Sequence, residues 1–190
     1  MNKISILIAE DEALIRMDLK EMLEAAGYIV CGEANNGQKA VELAEKLKPD
    51  LAILDVKMPV MNGLDAAKVM HKLNIPVILL TAYSQQNIVN RAEKVAVYGY
   101  LVKPVTERDL LPAVQIAYGR WKEVQFLQNQ LEDTKGKLEG QKLISHARAI
   151  LAKEYNISEY DAHKMLQKAA MDDRLSLIEK AKQIIAKKSF

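Results

Sequence analysis

The sequence predicts an α/β fold with a helical extension, on three observations. From residue 4 to about 112, short apolar runs alternate with segments of helical period. The polar residues that close those runs are acids, a threonine and a lysine. After that the alternation stops and helical periodicity continues alone. Alternation of this kind is the signature of a parallel sheet with helices on both faces, because an apolar run bounded by turn residues is a strand buried on both sides.

Taken in order, the strands fall at residues 4–9, 28–32, 51–55, 77–81 and 99–102. The first connecting helix has Leu14, Met17, Leu19 and Leu23 near helical spacing, and the second has Ala40, Val41, Leu43, Ala44 and Leu47. Leu64, Ala67, Val69 and Met70 mark the third. Gly27, Gly63 and Gly99 punctuate these segments. A fourth helix, around residues 85–95, is the least apolar, and polarity of that kind suits a mobile surface.

With 190 residues the chain has room for a full domain and a small appendage. No apolar run approaches the roughly 20 residues of a membrane span, so a soluble, cytoplasmic protein without membrane contact is expected. A single cysteine, Cys31, excludes an internal disulfide framework and reads as an inert core residue. The three isolated histidines have no metal-ligand spacing. Charge is uneven: residues 1–112 hold 13 Lys and Arg against 15 Asp and Glu, and residues 113–190 hold 14 against 10. A mildly acidic first part is thus joined to a basic second part, although an excess of four is also compatible with ordinary solvated charge.

Glu10 and Asp11 close the first strand, Asp55 the third, Thr81 the fourth and Lys103 the fifth. In open α/β sheets the carboxyl ends of the strands converge on one crevice, which carries the chemistry. Singly, each of these residues is more often a solvated acid or a surface lysine; together at successive strand ends they reverse that preference. Clustered carboxylates repel, and a raised pKa, a paired ammonium or a divalent cation resolves the repulsion. Donors made only of oxygen favour a hard ion, Mg²⁺ above all. A metal beside a carboxylate neutralises an incoming phosphoryl group, which makes Asp55 a candidate nucleophile for phosphoryl transfer. No second pairing of nucleophile and base is present, so an enzyme acting on outside substrates is not expected; self-catalysed phosphoryl transfer at Asp55 is all the chemistry the sequence supports.

In order and spacing, these residues resemble the receiver domain of bacterial two-component response regulators, from Ile4 to about Tyr118. The resemblance implies a flavodoxin-like sheet of order 2-1-3-4-5, with Asp55 phosphorylated by a sensor histidine kinase. It implies Mg²⁺ on Glu10, Asp11, Asp55 and the backbone carbonyl of Lys57, with Thr81 and Lys103 on the phosphoryl group. Glu10 stands where the commoner residue is Asp. Tyr100 matches the aromatic switch position, and the Lys103-Pro104 peptide is expected to be cis. Phosphorylation adds roughly 1.5 to 2 negative charges, which would draw Thr81 and Lys103 toward Asp55 and free space for Tyr100. The output surface would then lie on the face from residue 88 to 108.

Thr106 with Asp109 reads as a helix start, and Pro112 is expected to kink or restart that helix. Leu110, Val114, Ala117, Trp121, Val124, Gln128, Leu131, Lys135 and Leu138 then alternate four and three apart. Such a heptad seam predicts a coiled coil and a homodimer, formed on phosphorylation; an amphipathic helix lying on its own receiver leaves a similar stripe. Gly136 and Gly140 each cost a helix about 1 kcal/mol relative to alanine.

From Leu143 onward three shorter helices are expected. The first is built on Ile144, Ala147, Ile150 and Leu151 and is broken at Tyr155-Asn156-Ile157. The second, capped by Ser158 with Asp161, has Ala162, Met165, Leu166 and Ala169 as its core; the third starts at a Ser176 and Glu179 capping box and buries Leu177, Ala181, Ile184 and Ile185. Arg148, Lys153, Lys164, Lys168 and Arg174 fall on their exposed faces, either as solubilising charge or as phosphate contacts. The runs Ala147-Arg148-Ala149-Ile150-Leu151, Ile157-Ser158-Glu159 and Leu166-Gln167-Lys168-Ala169-Ala170-Met171-Asp172-Asp173, with Ala162 between the last two, resemble the ANTAR family. That resemblance implies RNA hairpins in leader transcripts as the target and antitermination as the outcome. His163 falls where the family usually has Tyr or Phe. The predicted organisation is a receiver at 1–118, a coiled-coil helix at 119–141 and an RNA-binding three-helix domain at 142–190, a layout similar to antiterminator response regulators of the ethanolamine-utilisation type. A tail that binds DNA or a protein partner is the alternative.

Overall fold

The computed structural model describes residues 3–82 and 97–187. The helix expected at 85–95, and residues 88–96 of the expected output face, lie outside the described residues. In order, the elements are β1 (Ser5–Ala9), α1 (Ala13–Ala25), β2 (Ile29–Ala34), α2 (Gly37–Leu47), β3 (Leu51–Asp55), α3 (Gly63–Lys72), β4 (Val77–Ala82) and β5 (Val97–Lys103). They are followed by α4 (Glu107–Tyr155), α5 (Glu159–Asp172) and α6 (Leu177–Lys187). The five strands form one parallel sheet of order β2-β1-β3-β4-β5, the flavodoxin-like arrangement that the receiver resemblance implies. By contact density the chain divides into two compact units, Met1–Gln125 and Phe126–Phe190. No helix among the described residues is long and apolar enough to cross a membrane.

In the first unit the sheet is covered on both faces. One cluster joins Leu7, Ala52, Leu54 and Leu79 to Ala40, Ala44, Ala67 and Met70 of α2 and α3. The other joins Ile6, Ile8, Ile53 and Ile78 to Leu19 and Leu23 of α1 and to Leu110, Val114 and Ala117 of α4. Central strands buried on both sides explain why β1 and β3 are uninterrupted apolar runs. Asn36 and Asn62 cap α2 and α3, each accepting from a backbone N–H in the first turn. Cys31 is half-buried, its thiol 3.4 Å from the Ile6 carbonyl, and burial pushes its pKa up.

Several expectations are corrected. Leu14 and Met17 do not join the core: α1 buries Leu19 and Leu23 and turns the other two outward. β2 extends to Ala34 and β5 begins at Val97, since pairing with β1 and β4 carries both strands further. Pro112 neither breaks nor restarts the helix. It is the sixth residue of α4, where the missing N–H forfeits one bond toward Arg108, an exposed residue whose carbonyl water can serve. The linker and the first helix of the C-terminal bundle are likewise one element, because α4 continues to Tyr155.

The heptad seam divides in two. Leu110, Val114 and Ala117 are spent on the sheet of their own unit, whereas Val124, Leu131 and Leu138 are exposed. Leu127, also exposed, completes the second stretch better than Gln128 does.

In the second unit, Ala147 and Leu151 of α4 pack with Ala162 and Leu166 of α5 and Ala181 of α6. Met165 points outward, and Ala170 is buried on the inner face of α5. Asn156, at φ 54°, ends α4; Ser158 accepts from Asp161 N–H, and Ser176 exchanges two bonds with Glu179, as the capping signals require. Gly140 is a packing position. A Cβ there would stand 2.7 Å from Ile178 Cδ1, while one on Gly136 would meet nothing.

Candidate functional site

Register places the expected polar residues side by side. Ala9 pairs with Leu54, Asp55 with Leu80, and Ala82 with Lys103, so the strands end together at one edge. Glu10 is fully buried and Asp55 nearly so. Lys103 Nζ bridges them, 2.6 Å from Glu10 Oε2 and 3.2 Å from Asp55 Oδ1. The backbone at Glu10 is fixed on both sides: its N–H donates to Ala34, and Arg16 donates to its carbonyl at 2.6 Å. The Lys103-Pro104 peptide is cis.

The three charges do not cancel. Burial raises the pKa of Glu10 against the opposing pull of Lys103, and the Asp55 charge adds to the rise. Burial also raises Asp55, opposed by Lys103 and helped by Asp11. For Lys103 burial works the other way, but the two carboxylates outweigh it and its pKa rises. One ammonium therefore serves two buried acids, and the site retains an appetite for further positive charge.

That appetite fits a metal. Carboxylate oxygens of Glu10, Asp11 and Asp55 lie within 4.8 Å of one another, a donor set of hard oxygens suited to Mg²⁺. Asp11, Glu12, Asp55, Lys57, Ala82 and Lys103 line a cleft of about 230 Å³ at this edge. Glu12, which follows Glu10 and Asp11 directly, joins the lining although only those two were singled out in the sequence. Thr81 is less committed than the others: its hydroxyl donates to the Ala82 carbonyl at 3.2 Å. Tyr100 is half-buried against the cluster that contains Val77 and Leu79.

Two backbone features hold Asp55 in place, and neither was foreseen. Gly63 opens α3 directly against the end of β3: a Cβ there would overlap the Asp55 carbonyl oxygen. Its N–H donates to Val56, which closes the loop. Within that loop Met61 N–H donates to the Pro59 carbonyl around Val60 at φ 66°, a three-residue turn that is strained for a β-branched residue. Strain of this kind persists only where surrounding structure enforces it.

In the second unit the expected RNA contacts separate into kinds. Arg148 is tied to Glu159 of α5 at 3.0 Å, and His163 is half-buried with a buried Nδ1 that has no partner. Lys153, Lys164, Lys168 and Arg174 are exposed, Arg174 at φ 56°.

Residues 6–115 match the response regulator receiver domain family, and residues 132–185 match the ANTAR domain family. The chain is 46% identical over 181 residues to the transcriptional regulatory protein PdtaR of Mycobacterium tuberculosis, covering 95% of this chain and 88% of that protein. It is 45% identical over 101 residues to the chemotaxis protein CheY of Thermotoga maritima, covering 52% of this chain and 84% of that one. Among solved structures, the signal receiver domain of a modulated diguanylate cyclase from Desulfovibrio desulfuricans superposes with a TM-score of 0.60 at 32% identity, over 64% of this chain and 98% of that one. With the acid edge in place and both families matched in this order, the chain belongs to the response regulators, as a receiver domain followed by an ANTAR domain.

Proposed function

We propose that the chain is a phosphorylation-activated response regulator that dimerises and binds RNA hairpins in leader transcripts to prevent transcription termination. The observation that carries the input is Lys103 bridging buried Glu10 and Asp55 at the carboxyl edge of the sheet. A carboxylate oxygen of Asp55 attacks the phosphorus held by a sensor histidine kinase, and the phosphorus–nitrogen bond to the kinase histidine breaks. Glu10, Asp11, Asp55 and the carbonyl of Lys57 would hold Mg²⁺, which when bound offsets the charge of the incoming phosphoryl group. Thr81 and Lys103 then donate to the new oxygens, and Tyr100 follows Thr81 inward as the switch.

The output reading rests on the exposed stretch of α4 and on the second unit. Val124, Leu127, Leu131 and Leu138 repeat three, four and seven residues apart on α4 with their side chains exposed, a seam that a second copy would cover. Lys153, Lys164, Lys168 and Arg174 supply charge for phosphates, with Arg148 and His163 closer to the fold of the bundle. Functionally we divide the chain at 1–118, 119–141 and 142–190. The protein acts as a regulator, with no chemistry on outside substrates. The layout of the whole chain is similar to that of the ethanolamine-utilisation antiterminators, and we extend the proposal to that type.

The test compares dimer state and hairpin retardation of the wild type, with and without a small phosphoryl donor and Mg²⁺, against Asp55→Ala. Wild type should dimerise and bind more tightly after treatment, and Asp55→Ala should not respond. An equal response from Asp55→Ala would remove the switch, and a preference for duplex DNA over hairpins would remove the RNA output. Crosslinked transcripts recovered with and without ethanolamine test the finer assignment.

A further inference from the structure

The inner face of α5 is fully used: Ala162, Leu166 and Ala170 are buried in the bundle. The outward face carries Tyr160, Lys164, Lys168 and Met171, at i, i+4, i+8 and i+11. Tyr160 is 67% exposed and Met171 78%, so two large side chains sit outside the core of their own bundle. Lys164 Nζ stands 4.4 Å from the centre of the Tyr160 ring. An exposed aromatic ring flanked by cations is the arrangement that single-stranded nucleic acid favours, since every base presents a π-face and every linkage a phosphate.

The neighbouring charges define the patch. Arg148 is committed to Glu159, and Lys180 pairs with Asp173, so neither competes for the face. Asp161 and Asp172 lie along one margin, and Asp161 accepts from the Ser158 hydroxyl at 2.6 Å. Tyr160 lies on the opposite margin, two-thirds exposed despite the Lys164 contact. His163, the aromatic position suggested by the ANTAR resemblance, is half-buried with Nδ1 enclosed, and so offers a base less open surface than Tyr160 does.

We propose that Tyr160 is the base-stacking residue of the RNA-binding face, with Lys164 and Lys168 on the phosphates that follow the stacked nucleotide along the helix. The ligand is accordingly an unpaired base displayed in a hairpin loop, where stacking surfaces are accessible while a stem hides them. The inference rests on the RNA-binding reading above and names its recognition element.

The full chain, treated with a small phosphoryl donor and Mg²⁺, is titrated into a labelled hairpin pool with a fixed stem and a randomised loop. The same stem closed by an abasic loop is the control. Wild type should prefer the base-containing loop. Tyr160→Ala should weaken binding to it by about 10-fold or more while leaving abasic-loop binding unchanged, and Tyr160→Phe should retain wild-type affinity. Lys164→Ala and Lys168→Ala should weaken both probes and each lower the slope against log salt by about 1. Because Tyr160 is exposed, its alanine variant should melt with the wild type. Tyr160→Ala binding like a loop-selective wild type, or Tyr160→Phe losing affinity as alanine does, would overturn the stacking role alone. Failure of the wild type to bind either hairpin would overturn the RNA-binding reading and this inference with it.

Discussion

The carboxyl edge of the sheet and the outward face of α5 are both charged surfaces offered to a ligand, and they are held in opposite ways. At the edge, Glu10 and Asp55 are buried and share Lys103, and the chain around them is fixed by the Glu10 N–H donating to the Ala34 carbonyl, the Arg16 guanidinium donating to the Glu10 carbonyl and the Gly63 N–H donating to the Val56 carbonyl. On α5, Tyr160, Lys164 and Lys168 project from one helix into solvent, with a single cation–ring contact between them. Burying a charge is expensive unless partners surround it, so a buried site is tied to the stability of the fold. An exposed site has no such tie, and its residues can change with little cost to folding. Damage to the first region should therefore be read in stability as well as function, and damage to the second in binding alone.

The largest effect expected from this contrast comes from Lys103→Met. Without divalent ions at neutral pH it leaves two buried acids with no counter-charge and should cost about 3 kcal/mol in urea unfolding. Adding Glu10→Gln should return part of that loss, because it removes one of the stranded charges. If Lys103→Met unfolds like wild type, the edge is not the tightly coupled site described here.

Gly63→Ala comes next. It adds no charge, yet its Cβ overlaps the Asp55 carbonyl and must push α3 off β3. A loss of about 2 kcal/mol is expected, together with slower phosphoryl incorporation at Asp55 followed by labelled donor. The second unit has a smaller counterpart in α4. Gly136→Ala should stabilise by about 1 kcal/mol, since its Cβ meets nothing. Gly140→Ala should gain less, because Ile178 must move aside. Equal gains would show that α6 does not seat against Gly140.

The smallest effect sharpens the comparison most. Lys168→Ala should change unfolding free energy by no more than about 0.5 kcal/mol, as exposed substitutions away from caps and ion pairs do. A larger loss would mean that α5 uses its outward lysines to fold, and the two regions would no longer differ in kind.

How much of this was legible beforehand varies with the same contrast. Buried strands are continuous apolar runs, and their carboxyl ends are where polarity returns. Glu10, Asp55, Thr81 and Lys103 could therefore be picked out and brought to one edge from sequence alone. The caps at Ser158 and Ser176 were equally plain, because capping is a matter of three or four adjacent residues. The seam on α4 was legible as a stripe, but not as two stripes. Periodicity records that a face is apolar without saying whether its own sheet or another chain covers it, and Ala117 and Leu131 look alike until burial separates them.

Other features depend on contacts between residues far apart in the chain or on which turn of a helix faces inward. Arg148 seemed a free surface cation until the fold set Glu159 of α5 beside it. Met165 has the spacing of a core residue and points out, while Ala170 points in. Gly63 and Gly140 read as punctuation and as a weak point; proximity to the Asp55 carbonyl and to Ile178 makes them packing positions. Tyr160 carried no signal, because an aromatic residue near a helix start is ordinarily core.

The sequence by itself determined the order of the elements, the parallel sheet and the convergence of acids and lysine at its edge, since each follows from local polarity and period. Only the tertiary structure decided which apolar face is already covered, which cation is already paired and which aromatic ring is left open to a ligand. Those are facts about neighbours in space, and a linear pattern does not contain them.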